Sequence, residues 1–579
     1  MHERATSECL ARFLEFLTAP DSDELQRPTI ARLLRGRVRL EGERRRPRTE
    51  ISIDFVVHGE GRLEDLLEVL QAFAEHDDSG SDVQFCVSAL AVRHERQTLQ
   101  SPDWRHLLDI LTIASPRVSI RQLLVDSKFL LLGDLPPVQH FIADLARSSS
   151  VALEELTWRS FKSTTQYQVA LLSAIRSGAL GVKTLRLPEI SEDCHVWWAW
   201  FTLSVLHPSS RSSVKNVRIV STKTPSLADV PALVDAIMAS QHPALAVLAI
   251  DNPAAFAVVE ESSEVVKPRG GELFVTIKPR TSFRMTPKPR APVLPLKTQP
   301  LDPALEVVVA LAKWTCVILP GCGFAWISDA AILERHERPL SQPPPPLRSL
   351  TWHFSDTYTQ NQAVPLELLS RLARHFGHDL EHLSVPGDLL ATDYQLAAVL
   401  DACPRLRHVE IHNLALSLRS IAALQRMRRP LLTLALHFGL ANELQIAIYI
   451  EELVSLLGSH AGRSLQQLRL WCGDTSVVSF FHLIDAIQTH PSLTFVQPET
   501  LDIFGGNREL RDAWKALEAA QLLRTQRLPR RARLAFLSVV APRHATADHR
   551  RAICQLDATL LQMIFTFAST WDVLKVLVN

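Results

Sequence analysis

The stretch CPRLRHVEIHNL, residues 403–414, carries apolar residues at Leu406, Val409, Ile411 and Leu414, spaced three, two and three apart. A helix face repeats near 3.6 residues and a strand every 2, so neither accounts for this spacing alone. The same apolar–x–x–apolar–x–apolar hexamer recurs along the chain. It reads IRQLLV (120–125), LEELTW (153–158), VKTLRL (182–187), VKNVRI (214–219) and LAVLAI (245–250). It returns as LRSLTW (347–352), LEHLSV (380–385), LRHVEI (406–411), LLTLAL (431–436) and LQQLRL (465–470). Fourth positions fall 33, 29, 32 and 31 residues apart in the first block and 33, 26, 25 and 34 in the second, which is the signature of a repeat architecture.

Between hexamers the apolar residues switch to helical spacing, as at Val138/Phe141/Ile142/Leu145 and Phe480/Leu483/Ile484/Ile487. Each unit therefore reads as a helix, a turn and a short strand. The first hexamer residue tucks under the turn, and the fourth and sixth point inward from the strand. This pattern resembles the leucine-rich repeat family, in the ribonuclease-inhibitor-like class with a helix in every repeat. The resemblance implies an α/β solenoid, or horseshoe, with a parallel sheet on the concave face and helices on the convex face. It covers residues 120–250 and 347–505, and ISIDFVV (51–57) and VQFCVSA (83–89) extend it as weaker strands. The family's Asn or Cys after the strand is replaced by Phe161, Ile190, Ser221 and Leu414, so a regular side-chain ladder is not expected.

The array is interrupted between Leu248 and Leu350. Residues 253–346 hold 15 of the 35 prolines, including the run Pro343–Pro346. ELFVTIK (272–278) and the stretch 305–332 read as strands, and Pro320-Gly321 sits where a type II turn wants those residues. The order Trp314, CVIL, Pro-Gly-x-Gly, Trp326 resembles a bacterial-type SH3-like barrel over about residues 271–335, the alternative being a proline-rich loop with one hairpin. The expected organisation is an N-terminal helical cap with degenerate repeats (1–119), a first repeat block (120–252), the insertion (253–346), a second block (347–507) and a C-terminal helical region (508–579). The insertion is expected to project from a loop.

Lys+Arg and Asp+Glu both total 62 in 579 residues, so the overall charge does not argue for nucleic acid or a membrane surface. No 18-residue apolar run and no cleavable leader is evident, and eight scattered cysteines without a CxxC pair suit a reducing compartment, cytoplasmic or nuclear. No phosphate loop, HExxH, GxSxG or kinase signature occurs. The expectation is a non-enzymatic interaction scaffold without cofactor or metal. Its protein partner would meet the concave strand face, and a proline-rich or acidic segment could meet the insertion. The alternative is a substrate-recognition subunit of a ubiquitin ligase, because LDATLLQMIFTFA (556–568) resembles the first part of an F-box helix.

Strand parity names the partner-binding candidates. The third and fifth hexamer residues and the one after the hexamer should face the open side. They are Arg159, Arg186 and Arg218 in the first block, and His353, His382, His408, Glu410, His412 and His437 in the second. The expected alignment sets His382 beside His408 and His412 beside His437.

Overall fold

The computed structural model describes Arg39 to Val576 apart from short stretches between elements, Pro343–Pro346 among them, and residues 527–569; residues 1–38 also lie outside it. The described chain divides into two compact units, residues 1–360 and 361–579.

In the first unit, β1 (Arg39–Glu41) pairs antiparallel with β2 (Thr49–His58), and every further strand of the sheet is parallel. Next come α1 (Arg62–Glu75), β3 (Val83–His94), α2 (Ser101–Leu111), β4 (Val118–Ile120) and β5 (Gln122–Ser127). Then follow α3 (Leu135–Arg147), β6 (Ala152–Ser160), α4 (Thr165–Arg176), β7 (Gly181–Arg186), α5 (Cys194–Phe201) and β8 (Asn216–Ser221). The sheet order is β1-β2-β3-β5-β6-β7-β8, with β4 beside β3, and the helices pack on one another in the same order. The hexamer explains this layering. Val182, Leu185 and Leu187 are all buried, as are Leu153, Leu156 and Trp158, so three residues per unit close the core while the residues between them alternate away.

After β8 the sixth copy of the helix–strand alternation fails. Residues 245–250, expected as a strand, form most of α7 (Pro243–Asp251), between α6 (Val230–Ala239) and α8 (Pro253–Glu261). Pro243 presets the first helical turn and the Ala/Leu-rich run favours helix, so local propensity wins where the hexamer fits both periods. The buried residues Leu245, Val247 and Leu248 correspond to a helix face rather than to strand alternation.

The insertion is a seven-stranded antiparallel sheet. Its strands are β9 (Glu272–Ile277), β10 (Ser282–Arg284), β11 (Leu294–Pro295), β12 (Leu305–Ala310), β13 (Trp314–Leu319), β14 (Gly323–Ser328) and β15 (Ile332–Arg338). Their order is β11-β10-β14-β13-β12-β9-β15, and a single 3-10 turn, Asp329–Ala331, links β14 to β15. The inward residues Val275, Ile277, Val307, Val317, Ala325 and Ile327 form its own core. It does not project from a loop, as the proline content suggested; it packs on the helices of the first unit. The turn between β13 and β14 does this with two glycines at φ +84° and +86°. A Cβ on Gly321 would lie 2.7 Å from the backbone of Ala143 in α3, and one on Gly323 would lie 2.7 Å from Val169 in α4. Gly321 N donates to Ser173 Oγ at 3.1 Å, and Phe324 packs on Trp200 of α5 with ring centroids 4.7 Å apart.

β16 (Ser349–Phe354) then returns to the parallel sheet directly beside β8. An aromatic cluster anchors that return. Trp198 of α5 lies 5.5 Å from Trp352 of β16 and 4.8 Å from Trp197, itself stacked on Phe201. All four rings are buried.

The second unit repeats the alternation. It comprises α9 (Leu366–Phe376), β17 (His382–Pro386), α10 (Asp393–Ala402), β18 (His408–His412), α11 (Leu418–Gln425), β19 (Thr433–Phe438) and α12 (Glu443–Gly458). It continues with β20 (Gln467–Cys472), α13 (Ser479–Thr489), β21 (Phe495–Thr500) and α14 (Arg508–Ala519). The C-terminal region is not wholly helical as expected. β22 (Leu523–Gln526) pairs antiparallel with β23 (Thr570–Val573), and β24 (Lys575–Val576) adds to β21 in parallel, where an apolar, β-branched tail suits a strand.

Before several strands, one carbonyl accepts the N–H groups of two consecutive residues in the next unit. Glu381 O takes Arg407 and His408 at 2.8 and 3.0 Å, Arg407 O takes Leu432 and Thr433 at 2.7 and 3.1 Å, and Leu432 O takes Gln466 and Gln467 at 2.9 and 3.0 Å. Arg121 O and Lys215 O do the same in the first unit. These bonds pair the backbone groups of the segments that enter those strands.

Candidate functional site

The face of each parallel sheet opposite the buried hexamer residues carries the candidates whose side chains are described, Arg186, Arg218, His382, His408 and Glu410. In the first unit, register aligns Leu124, Thr157, Arg186, Arg218 and Thr351 in one row across β5, β6, β7, β8 and β16. A second row, two residues earlier on each strand, holds Gln122, Glu155, Thr184, Asn216 and Ser349. Arg186 and Arg218 are therefore neighbours, as expected from parity. Arg186 Nε lies 2.5 Å from Glu155 Oε1, and Thr157 Oγ1 donates to the same oxygen at 3.1 Å. Asn216 Nδ2 donates to Thr184 Oγ1 at 3.0 Å, so the rows are tied laterally by side chains. Arg159 occupies β6 opposite Asp126 of β5, and its side chain lies outside the described residues.

In the second unit, His382 and His408 are register partners with ring centroids 6.0 Å apart at 34°. His408 Nδ1 shares a 3.0 Å hydrogen bond with Thr433 Oγ1 on the following strand. Burial lowers the His382 pKa, against the opposing effect of Glu410 and of its own backbone. His408 is also lowered, by burial first, then by His382 and Arg407, with Glu381 opposing. Both imidazoles therefore favour the neutral form, which suits two rings meeting across adjacent strands.

Glu410 aligns with Ser384 on one side and Ala435 on the other, and Arg469 follows Ala435 with its guanidinium 5.5 Å from the Phe495 ring centroid. His412 sits opposite Pro386, His437 opposite Trp471, and His353 opposite Val220; the side chains of these three histidines lie outside the described residues. His353 belongs to the first unit and the other four histidines to the second.

Parity alone misjudged Ser384. Expected on the open side, it is 0% exposed, and among the described residues its hydroxyl has no hydrogen-bond partner. Ala435, in the same row, is 2% exposed. Facing away from the core is therefore not the same as being wet.

Sequence reasoning also missed a buried polar centre where the insertion meets the repeat helices. Arg176, at the end of α4, is 1% exposed and forms a two-pronged pair with Glu306 of β12, Nε to Oε2 at 3.1 Å and Nη2 to Oε1 at 2.8 Å. Its Nη1 donates to Leu203 O at 3.2 Å and its Nη2 to Ser209 Oγ at 2.8 Å. His207 Nδ1 shares a 2.8 Å bond with Ser209 Oγ; burial and then Arg176 bring its pKa down to about 4, with Glu306 opposing. The sequence signal was one acid within the apolar strand LEVVVA, but its partner lies 130 residues away.

Among the described residues no group of three or more His, Cys, Asp and Glu side chains is placed to hold a metal ion, and no helix is long and apolar enough to cross a membrane. The F-box-like segment 556–568 lies outside the described residues. Comparison with protein-family models and with characterised protein sequences finds no match to this chain.

Proposed function

We propose that this chain is a leucine-rich-repeat-like α/β solenoid acting as a non-enzymatic scaffold that binds a protein partner through its strand face. The observation that carries this reading is the residue-by-residue alignment of polar, partly exposed side chains on neighbouring parallel strands, Arg186 with Arg218 and His382 with His408. A periodic face of this kind presents one side chain per strand at about 4.8 Å intervals, a spacing suited to an extended contact with another chain. The helix after each strand and the ordered helix packing agree with the solenoid reading. The insertion reads as an SH3-like module, since β9 pairs with β15, β12 to β14 form a meander, and a 3-10 turn precedes the last strand.

The test is affinity capture from native extract with the wild-type chain, an Arg218→Ala/His408→Ala variant and an Arg426→Ala variant carrying the change on an exposed position at a helix end. A partner lost only with the strand-face variant supports the scaffold. Capture that is insensitive to the strand face, or lost equally with Arg426→Ala, removes it.

A further inference from the structure

We propose that His382 and His408 form a proton-operated clasp between β17 and β18, which lets the two strands pair firmly while both rings are neutral and loosens them once protons are added. The clasp belongs to the second unit alone and goes beyond the scaffold reading, since it needs no partner. Its basis is position. His382 and His408 are direct register partners on adjacent parallel strands, both are half-buried, and their ring centroids lie 6.0 Å apart. Like charges on neighbouring strands repel at this distance, so two imidazolium ions share this place only at a cost. Histidine is the side chain that acquires its charge near neutral pH. The rest of the row is uncharged. Register carries it from His408 to Thr433, Gln467 and Phe495, so acid alters the charge of this row at β17 and β18 alone.

The surroundings make the charged form costly. The His408 ring is tied to the following strand by the 3.0 Å bond between its Nδ1 and Thr433 Oγ1, which holds it beside His382. In the next row Ser384 and Ala435 are both buried, so a new charge on the pair finds little water on that side. The charged groups that act on the pair are Glu381, Arg407 and Glu410. Glu410 favours a proton on His382 and Glu381 favours one on His408, while Arg407 and His382 oppose a proton on His408. Burial outweighs the carboxylates, and both rings take a proton less readily than an ordinary histidine does at 6.5. Coupled rings fill in two steps, the second resisted by the first. The unfolded chain binds these protons at higher pH than the folded one. The pair's contribution to stability is therefore complete above about pH 6.5 and is lost as pH falls below it.

The experiment follows hydrogen exchange of the full chain by mass spectrometry at about pH 7.5 and about pH 5.5, corrected for the intrinsic pH dependence of amide exchange. Amides of β17 and β18 should lose protection by about threefold or more at the lower pH. Those of β20 and β21 should stay within about twofold. His382→Gln/His408→Gln keeps polar side chains that do not titrate, and it should abolish the loss in β17 and β18. NMR of isotope-labelled histidine reads the coupling directly in the wild-type chain and in His382→Gln. The His408 midpoint should lie below 6.5 and rise when its neighbour is removed. Should the double variant fail to fold, the exchange of His382→Gln and that midpoint decide the matter. Equal protection at both pH values, a loss shared equally by β20 and β21, an undiminished loss in the double variant, or a His408 midpoint indifferent to His382 overturns the proposal.

Discussion

Removing Glu306 should release the insertion from the repeat helices. Glu306→Ala leaves the Arg176 guanidinium, 1% exposed, with Leu203 O and Ser209 Oγ as its partners among the described residues and no paired carboxylate among them. Stranding one member of a buried ion pair costs about 3–5 kcal/mol. Replacing both members by apolar residues of similar size, Arg176→Met/Glu306→Leu, should cost far less than the sum of the single changes, because no orphan charge remains. Hydrogen exchange read by mass spectrometry suits a chain with two units, since it reports opening locally. Amides of β13 and β14 should exchange roughly a hundred- to several-thousand-fold faster in Glu306→Ala, the equivalent of that free energy. Amides of β19 and β20, in the second unit, should not change. A single-variant effect below about 1 kcal/mol, or a double variant whose cost equals the sum, would refute the view that this pair holds the insertion in place.

Gly321→Ala should loosen the same contact, because its Cβ would meet backbone atoms of Ala143 at 2.7 Å and its φ is +84°, whereas Gly458→Ala, with open space around it, should be neutral or stabilise by about 0.5–1 kcal/mol in thermal melts. Leu383→Ala should cost about 2–5 kcal/mol in denaturant titration, while Ser384→Ala should be neutral or slightly stabilising, since it removes a buried hydroxyl that has no partner among the described residues. His207 has a folded pKa near 4 against 6.5 for an ordinary histidine, so its contribution to stability is complete above about pH 6.5 and is lost as pH falls toward 4. His207→Gln should flatten the acid side of the stability–pH curve, and an unchanged slope would show that this imidazole titrates normally.

The parts of this fold that could be read from the chain are those in which one short segment meets its demands locally. LRHVEI needs Leu406, Val409 and Ile411 buried whatever lies beside it, and all three are; the strand register that follows brings His382 to His408 as parity requires. The same hexamer at 245–250 fails because Leu245 and Leu248 also satisfy a helix, and Pro243 supplies a helical start, so three apolar positions are too few to choose a period. Docking of the insertion was illegible for a different reason. Its determinants are single residues, Gly321 against Ala143 and Glu306 against Arg176, each meeting a partner more than a hundred positions away, and a long-range pair leaves no period to detect. Ser384 marks the third limit. Alternation decides which side of a sheet a residue faces, but the height of its neighbours decides whether water reaches it, and neighbours across strands are set by register. The candidate face carries this limit most strongly. Arg186 and Glu155 sit 31 residues apart in the chain and two positions out of step in register, so their contact follows from side-chain length and strand offset together.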